Sequence, residues 1–282
     1  MTEDSFLGRM ARASRKRADA ARAREAEETL RNRALAIRDT PRIRLGDFDL
    51  IAELKLRSPA AGALAETHFD RPAQLEAYAH GGAAAISVLT EPDEFNGDLS
   101  HLEEASALLN RHQVPAMRKD FLVSTYQVFE AKAAGAGGVL VIATMLSDEE
   151  IEALLSAARQ CGLFVLLEAF DADDLERIAR LGGPKTAPEE APVLCGVNCR
   201  DLKTLAVDFN RFAELAPHLP AGLKAVAESG IASEEEIRVV ANLGYDLALV
   251  GSALMQTSDP VRQVRKLTAA GVEQITEARS CS

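Results

Sequence analysis

In 51-IAELKLRSPAAG-62, Ile51, Ala52, Leu54 and Leu56 form an apolar run that Glu53 and Lys55 interrupt. Side chains alternate faces along a strand, so the two charges point the same way. A buried strand with opposite charges on one face, stopped by Ser58-Pro59, raises two possible folds. An open, doubly wound parallel sheet usually follows its first strand with a glycine-rich nucleotide loop. The segment 58-SPAAG-62 is not such a loop. A closed barrel instead brings the ends of its strands to a common mouth, where charges have a use.

Outward from this stretch the same unit repeats. Strand candidates are 49-DLIAELK-55, 84-AAISVLT-90, 115-PAMRKD-120, 138-GVLVIAT-144, 163-LFVLLEA-169, 193-VLCGVNC-199, 224-KAVAES-229 and 247-LALVGS-252. Their aliphatic content suits strands covered on both faces. Amphipathic helices lie between them. Ser147 with Glu150, and Ser233 with Glu236, are capping-box patterns, Asp171 starts a third helix, and Gly162, Gly182 and Gly244 mark helix ends. Eight β-α units over residues 49–282 come close to the roughly 250 residues of a (βα)8 TIM barrel. The expected fold class is therefore α/β, a (βα)8 barrel spanning 49–282. Residues 1–48 are expected to be an N-terminal helical extension packed on one end of it. The segment 182-GGPKTAPEEAP-192 is expected to be a long exposed loop.

Composition narrows the function. The net charge of −11 argues against broad nucleic-acid binding. The basic run 9-RMARASRKRADAARAR-24 is followed by acidic 25-EAEE-28 and reads as a solvated helix face. No apolar run approaches membrane-spanning length. The four cysteines (Cys161, Cys195, Cys199 and Cys281) form no CxxC pair, so neither a zinc site nor a disulfide framework is expected. Reduced thiols point to a cytoplasmic protein.

In a (βα)8 enzyme, chemistry sits where strands end and βα loops begin. Those ends offer Glu53 and Lys55, Lys119, Glu168, Asn198 with Arg200, Glu228 with Ser229, and Gly251 with Ser252. Alternation puts Leu166 and Glu168 on one face, Val226 and Glu228 on one face, and Lys119 with Met117. Arg118 and Asp120 take the opposite face and are poorer candidates. Any one such charge is explained by a rim ion pair. The whole set is not, because desolvating so many charges is costly. Two lysines, three glutamates, an arginine and an asparagine make an acid–base site for an anionic substrate. Ser229-Gly230 and Gly251-Ser252 place small residues after strands seven and eight, where barrels often bind phosphate.

The chain resembles the indole-3-glycerol-phosphate synthase family. The resemblance rests on 51-IAELK-55 with Ser58-Pro59, 87-SVLTE-91 with 95-FNG-97, 118-RKDF-121 with 126-YQVFEAKAAGA-136, 166-LLE-168, 196-GVNCRDLKT-204, 227-AESGI-231 and 249-LVGSALM-255. It implies a carbon–carbon lyase of tryptophan biosynthesis, with no metal or organic cofactor. Such an enzyme converts 1-(2-carboxyphenylamino)-1-deoxyribulose 5-phosphate by ring closure, decarboxylation and dehydration. By resemblance Lys119 is the acid for ring closure, Lys55 assists it or holds substrate anions, and Glu168 is the base for dehydration. Glu53 and Glu228 set the charge balance. Asn198, Arg200 and Ser58 contact substrate, while Ser229, Gly230, Gly251 and Ser252 hold the phosphate. The implied partner is a small sugar phosphate, with no nucleic acid or membrane, and the chain is expected to be a monomer. Ala60 and Ala61 stand where the family usually has a serine and a cation, and Phe170 and Cys199 where polar residues are more usual. These departures keep two alternatives in view: a related sugar-phosphate barrel enzyme, and a non-catalytic ligand-binding paralogue.

Overall fold

Eight parallel strands close on themselves, and each pairs with its neighbours in sequence. The computed structural model describes residues 5–37, 40–55, 57–58, 62–63, 69–182, 191–201 and 206–280. The strands are β1 (Asp49–Leu54), β2 (Ala85–Leu89), β3 (Ala116–Lys119), β4 (Gly138–Ile142), β5 (Phe164–Ala169), β6 (Val193–Asn198), β7 (Lys224–Glu228) and β8 (Leu247–Val250). Ile51 of β1 pairs with Ala85 of β2 on one side and with Leu249 of β8 on the other, which seals the barrel. An open sheet would reverse its strand order and leave two edges. Here the order is sequential and every strand has two partners, so the closed alternative holds.

The strands are aliphatic because both faces are covered. Val139, Val141, Leu166, Leu167, Val226 and Ala227 are all essentially inaccessible. With no tryptophan in the chain, leucine, valine, isoleucine and alanine fill the interior. Removing this apolar area from water is the main favourable contribution to folding.

The expected helix starts and stops are present, with one difference in kind. Asp148–Cys161 and Glu234–Asn242 both begin with complete capping boxes, at Ser147/Glu150 and Ser233/Glu236. Asp171 caps Ala172–Leu181 by accepting from the Asp174 amide. Gly162 and Gly244 are left-handed, at φ 65° and 96°. Gly182 ends its helix at φ −91°, which any residue adopts. What favours glycine there is space, since a Cβ would come 3.0 Å from the Ile178 carbonyl and 3.1 Å from Val193.

Two helices precede the barrel, Phe6–Arg24 and Glu27–Ala36. The first lies against the ends of β3 and β4. Its Ser14 hydroxyl accepts from Gln127 at 2.8 Å, and its Phe6 ring meets Phe121 edge-on at 5.9 Å. The basic run on this helix is not simply a solvated face. Arg15 pairs with Glu150 at 3.1 Å, Arg17 with Asp120 at 2.8 Å, and Arg22 donates to Ser124 at 2.9 Å. Arg15 and Arg22 lie seven residues apart on one helix face, Arg17 lies on another, and the barrel supplies partners to all three. Of the stretch 182–192, residues 183–190 lie outside the described residues, so the expected loop does too.

Candidate active site

All the strand ends singled out in the sequence open on one cavity of about 620 Å³. Its lining includes Glu53, Lys55, Lys119, Glu168, Asn198 and Arg200 from β1, β3, β5 and β6. The β7 and β8 ends add Glu228, Ser229, Gly230, Gly251 and Ser252. Ser58 is the exception. Its backbone pairs with Gly62 in a two-residue antiparallel ladder, and its side chain lies outside the described residues.

Strand register explains the convergence. Asn198 sits beside Glu228 on the neighbouring strand, and Glu168 sits beside Gly196. Residues level across parallel strands share a face, so these side chains turn inward together. Gly196 makes the room, because a Cβ there would collide with Glu228 Oε1 and approach Leu166 at 3.1 Å. Gly251 does the same on the opposite side, where a Cβ would stand 2.6 Å from Glu53 Oε1 and 3.2 Å from Lys55 Nζ.

The charges form two linked groups. Lys55 Nζ donates to Glu53 Oε1 at 2.6 Å. Lys119 Nζ lies 3.3 Å from Glu228 and 3.4 Å from Glu168. Burial works against the Lys119 charge, but the carboxylates of Glu228, Glu168 and Glu53 outweigh it and raise its pKa above the ordinary lysine value. Burial and repulsion from Glu168 push the Glu228 carboxyl well above the usual carboxylate range, with Lys119 offsetting part of this. Glu53 goes the other way. Burial would raise it, yet Lys55, Lys119 and Arg200 together hold it below its ordinary value. The site therefore combines a firmly charged ammonium, a carboxyl that keeps its proton to unusually high pH, and a carboxylate that gives it up early.

Arg118 stays off the cavity, as alternation predicts, whereas Asp120 also lines it while turning its carboxylate towards Arg118 and Arg17. Arg118 is buried between Asp120 at 3.2 Å and Glu130 at 2.7 Å. Asp120 accepts from the Thr90 hydroxyl and the Phe121 amide, which fixes the chain directly after Lys119. Arg17 joins Asp120 to Glu91, 3.5 Å away. Glu91 in turn accepts from the amides of Asp93, Glu94 and Phe95, building the single helical turn that carries Phe95 to the cavity.

The apolar wall went unread in the sequence. Phe6, Leu7, Phe95, Phe121 and Phe170 also line the cavity. Phe121 stands 5.9 Å from Phe6 and 6.2 Å from Phe95, ring centre to ring centre. Large apolar residues directly after charged strand ends, as in 118-RKDF-121, were the available signal in a chain with only 5% aromatics.

A closed (βα)8 barrel with ammonium and carboxylate groups at the carboxyl ends of its strands, against an aromatic wall, belongs with the barrel enzymes that perform acid–base chemistry on small molecules. The sequence model of the family described as indole-3-glycerol phosphate synthase matches residues 9–267. The indole-3-glycerol phosphate synthase of Nocardioides sp. is 43% identical, over 83% of this chain and 84% of that one. Indole-3-glycerol phosphate synthase 1 of Streptomyces coelicolor is 42% identical, over 79% of this chain and 78% of that one. The chain belongs to the indole-3-glycerol phosphate synthase family, carboxy-lyases of tryptophan biosynthesis.

Two solved structures share the fold alone. Thiamine phosphate pyrophosphorylase from Pyrococcus furiosus is 17% identical, with a TM-score of 0.58 over 81% of this chain and 98% of that one. The 3-hexulose-6-phosphate synthase from Salmonella typhimurium is 18% identical, with a TM-score of 0.61 over 80% of this chain and 100% of that one.

Proposed function

We propose that the cavity binds 1-(2-carboxyphenylamino)-1-deoxyribulose 5-phosphate, with Lys119 as the acid of its ring closure and Glu168 as the base of its dehydration. The supporting observation is the contact of Lys119 with two buried carboxylates in a cavity that also holds a second lysine and an aromatic wall. The aryl ring of the substrate stacks near Phe6, Phe95 and Phe121. Its carboxylate is drawn to Lys55, with Arg200 and Asn198 holding carboxylate and hydroxyl groups. The phosphate sits at Ser229, Gly230, Gly251 and Ser252, where small residues let it approach the backbone.

As the ring carbon bearing the carboxylate attacks the ketone, negative charge grows on the ketone oxygen. Lys119 gives that oxygen a proton. Its carboxylate neighbours keep the ammonium charged until an oxygen with alkoxide character takes the proton. Carbon dioxide then leaves, and the electrons of the broken bond restore a carbon–carbon double bond in the ring. The hydroxyl departs as water, its oxygen protonated by a lysine ammonium. Glu168 takes the ring proton that must be lost to form the indole. Glu53 balances the ammonium charge beside it, while Glu228, which holds its proton to unusually high pH, sets the charge balance around Lys119.

The same reading makes the protein a cytoplasmic monomer that needs no metal or organic cofactor and engages neither nucleic acid nor membrane. Among the described residues, no helix is long and apolar enough to cross a membrane. Incubation of the purified protein with the carboxyphenylamino sugar phosphate tests the assignment. Indole fluorescence should appear with one carbon dioxide per turnover. A sugar-phosphate isomerase or a non-catalytic binder would release no carbon dioxide, and that outcome would reject the proposal.

A further inference from the structure

We infer that Cys199 is a positioning residue that fixes the Ser229–Gly230 turn at the phosphate end of the cavity. The inference rests on the proposed phosphate seat and adds the group that shapes it. Ser229 has φ 71° and Gly230 φ 72°. A left-handed backbone is uncommon for a non-glycine residue and persists where its surroundings hold it. Cys199 is well placed to do the holding. Its amide donates to the Glu228 carbonyl at 3.1 Å, and its thiol donates to the Ser229 carbonyl at 3.3 Å. Successive carbonyls at the end of β7 are thus tied to one residue.

Cys199 is itself anchored, because its carbonyl accepts from the Asp208 amide at 3.1 Å and its side chain is buried. In a trans peptide the C=O and the following N–H point opposite ways. Pinning the Ser229 carbonyl on Cys199 therefore turns the Gly230 N–H away from Cys199. Ser229 and Gly230 line the cavity and Cys199 does not. The fit is tight, since a Cβ on Gly230 would come 2.6 Å from Val207 and 3.2 Å from the Cys199 sulfur. Burial pushes the thiol up to about 11, with Arg200 and Arg211 opposing, so it remains an S–H donor at neutral pH.

The test compares the unmodified protein with Cys199→Ala, which removes the donor, and Cys199→Ser, which keeps one. KM for the carboxyphenylamino sugar phosphate is measured with inhibition constants for inorganic phosphate and for anthranilate, which carries the aryl carboxylate but no phosphate. Cys199→Ala should raise KM and the phosphate constant together by about fivefold, the scale of one modest hydrogen bond. The anthranilate constant should stay put, and Cys199→Ser should restore both shifted values. Unchanged phosphate inhibition in Cys199→Ala would overturn the inference while leaving the phosphate seat intact. Equal weakening of anthranilate would reduce Cys199 to a general structural role and overturn it as well. Failure of phosphate to compete in the unmodified protein would remove the seat itself, and this inference with it.

Discussion

The ammonium of Lys119 lies 3.3 Å from the carboxylate of Glu228, a residue 109 positions further along the chain. Only barrel closure brings β3 and β7 to that separation, and the pairing ties stability and chemistry to one cluster of charges.

Glu228 makes stability depend on pH in a definite direction. Burial first, then Glu168, raises its folded pKa well above the ordinary value. The unfolded chain ionises the same carboxyl at about 4.3. Above that pH the native protein holds a proton that the unfolded chain has lost, so this group's contribution to stability falls as pH rises towards the folded pKa. Glu228→Gln has no proton to lose. Its melting temperature relative to the parent should therefore climb as pH rises above about 4.3. Melting curves at rising pH check this, and a constant difference would contradict it.

Glu168 acts late in the proposed sequence, so its loss should separate two products. In Glu168→Gln, ring closure and carbon dioxide release continue while indole formation slows by about 100-fold or more. Parallel measurement of carbon dioxide and indole fluorescence after rapid mixing should show the first outrunning the second. Equal slowing of both would place Glu168 earlier in the reaction.

Arg17 fastens the N-terminal helix to the catalytic mouth. Its guanidinium meets Asp120 and Glu91, whose side chains are each only 1% exposed. Arg17→Ala leaves those carboxylates with fewer partners, at a cost of about 1–3 kcal/mol in urea unfolding. It also frees the helix that carries Phe6 to the cavity, so KM should rise. Arg17→Lys should recover part of both losses. An Arg17→Ala protein with unchanged stability and KM would show that the contact is incidental.

Gly251 protects the Glu53–Lys55 pair. The methyl of Gly251→Ala would arrive 2.6 Å from Glu53 Oε1, and Glu53 sits on a buried strand with little freedom to withdraw. The pair should be displaced and turnover should fall by about 100-fold, as expected when reacting groups move by about an ångström. Steady-state kinetics with a circular dichroism control checks this. Full activity would mean the pair yields without consequence.

The barrel was readable because its strands are short aliphatic runs between capped helices, a pattern with few competing interpretations. Glu53, Lys119, Glu168 and Glu228 were readable by alternation, since inward and outward positions differ by one residue. Other parts depended on contacts between distant segments. Nothing local marks Arg17 as the partner of Asp120, and the basic run around it reads equally well as solvated. Phe6, Phe95 and Phe121 come from three separate segments, and no periodicity links them. The Ser229–Gly230 conformation is similarly hidden, because Ser-Gly alone does not specify two left-handed residues.

The most direct measurement is turnover of the carboxyphenylamino sugar phosphate by Lys119→Ala, read as indole fluorescence beside the unmodified protein. Loss of the acid should lower kcat by about 100-fold or more while circular dichroism and melting show a folded barrel. A folded Lys119→Ala protein that makes the indole product at nearly the parental rate would contradict the account.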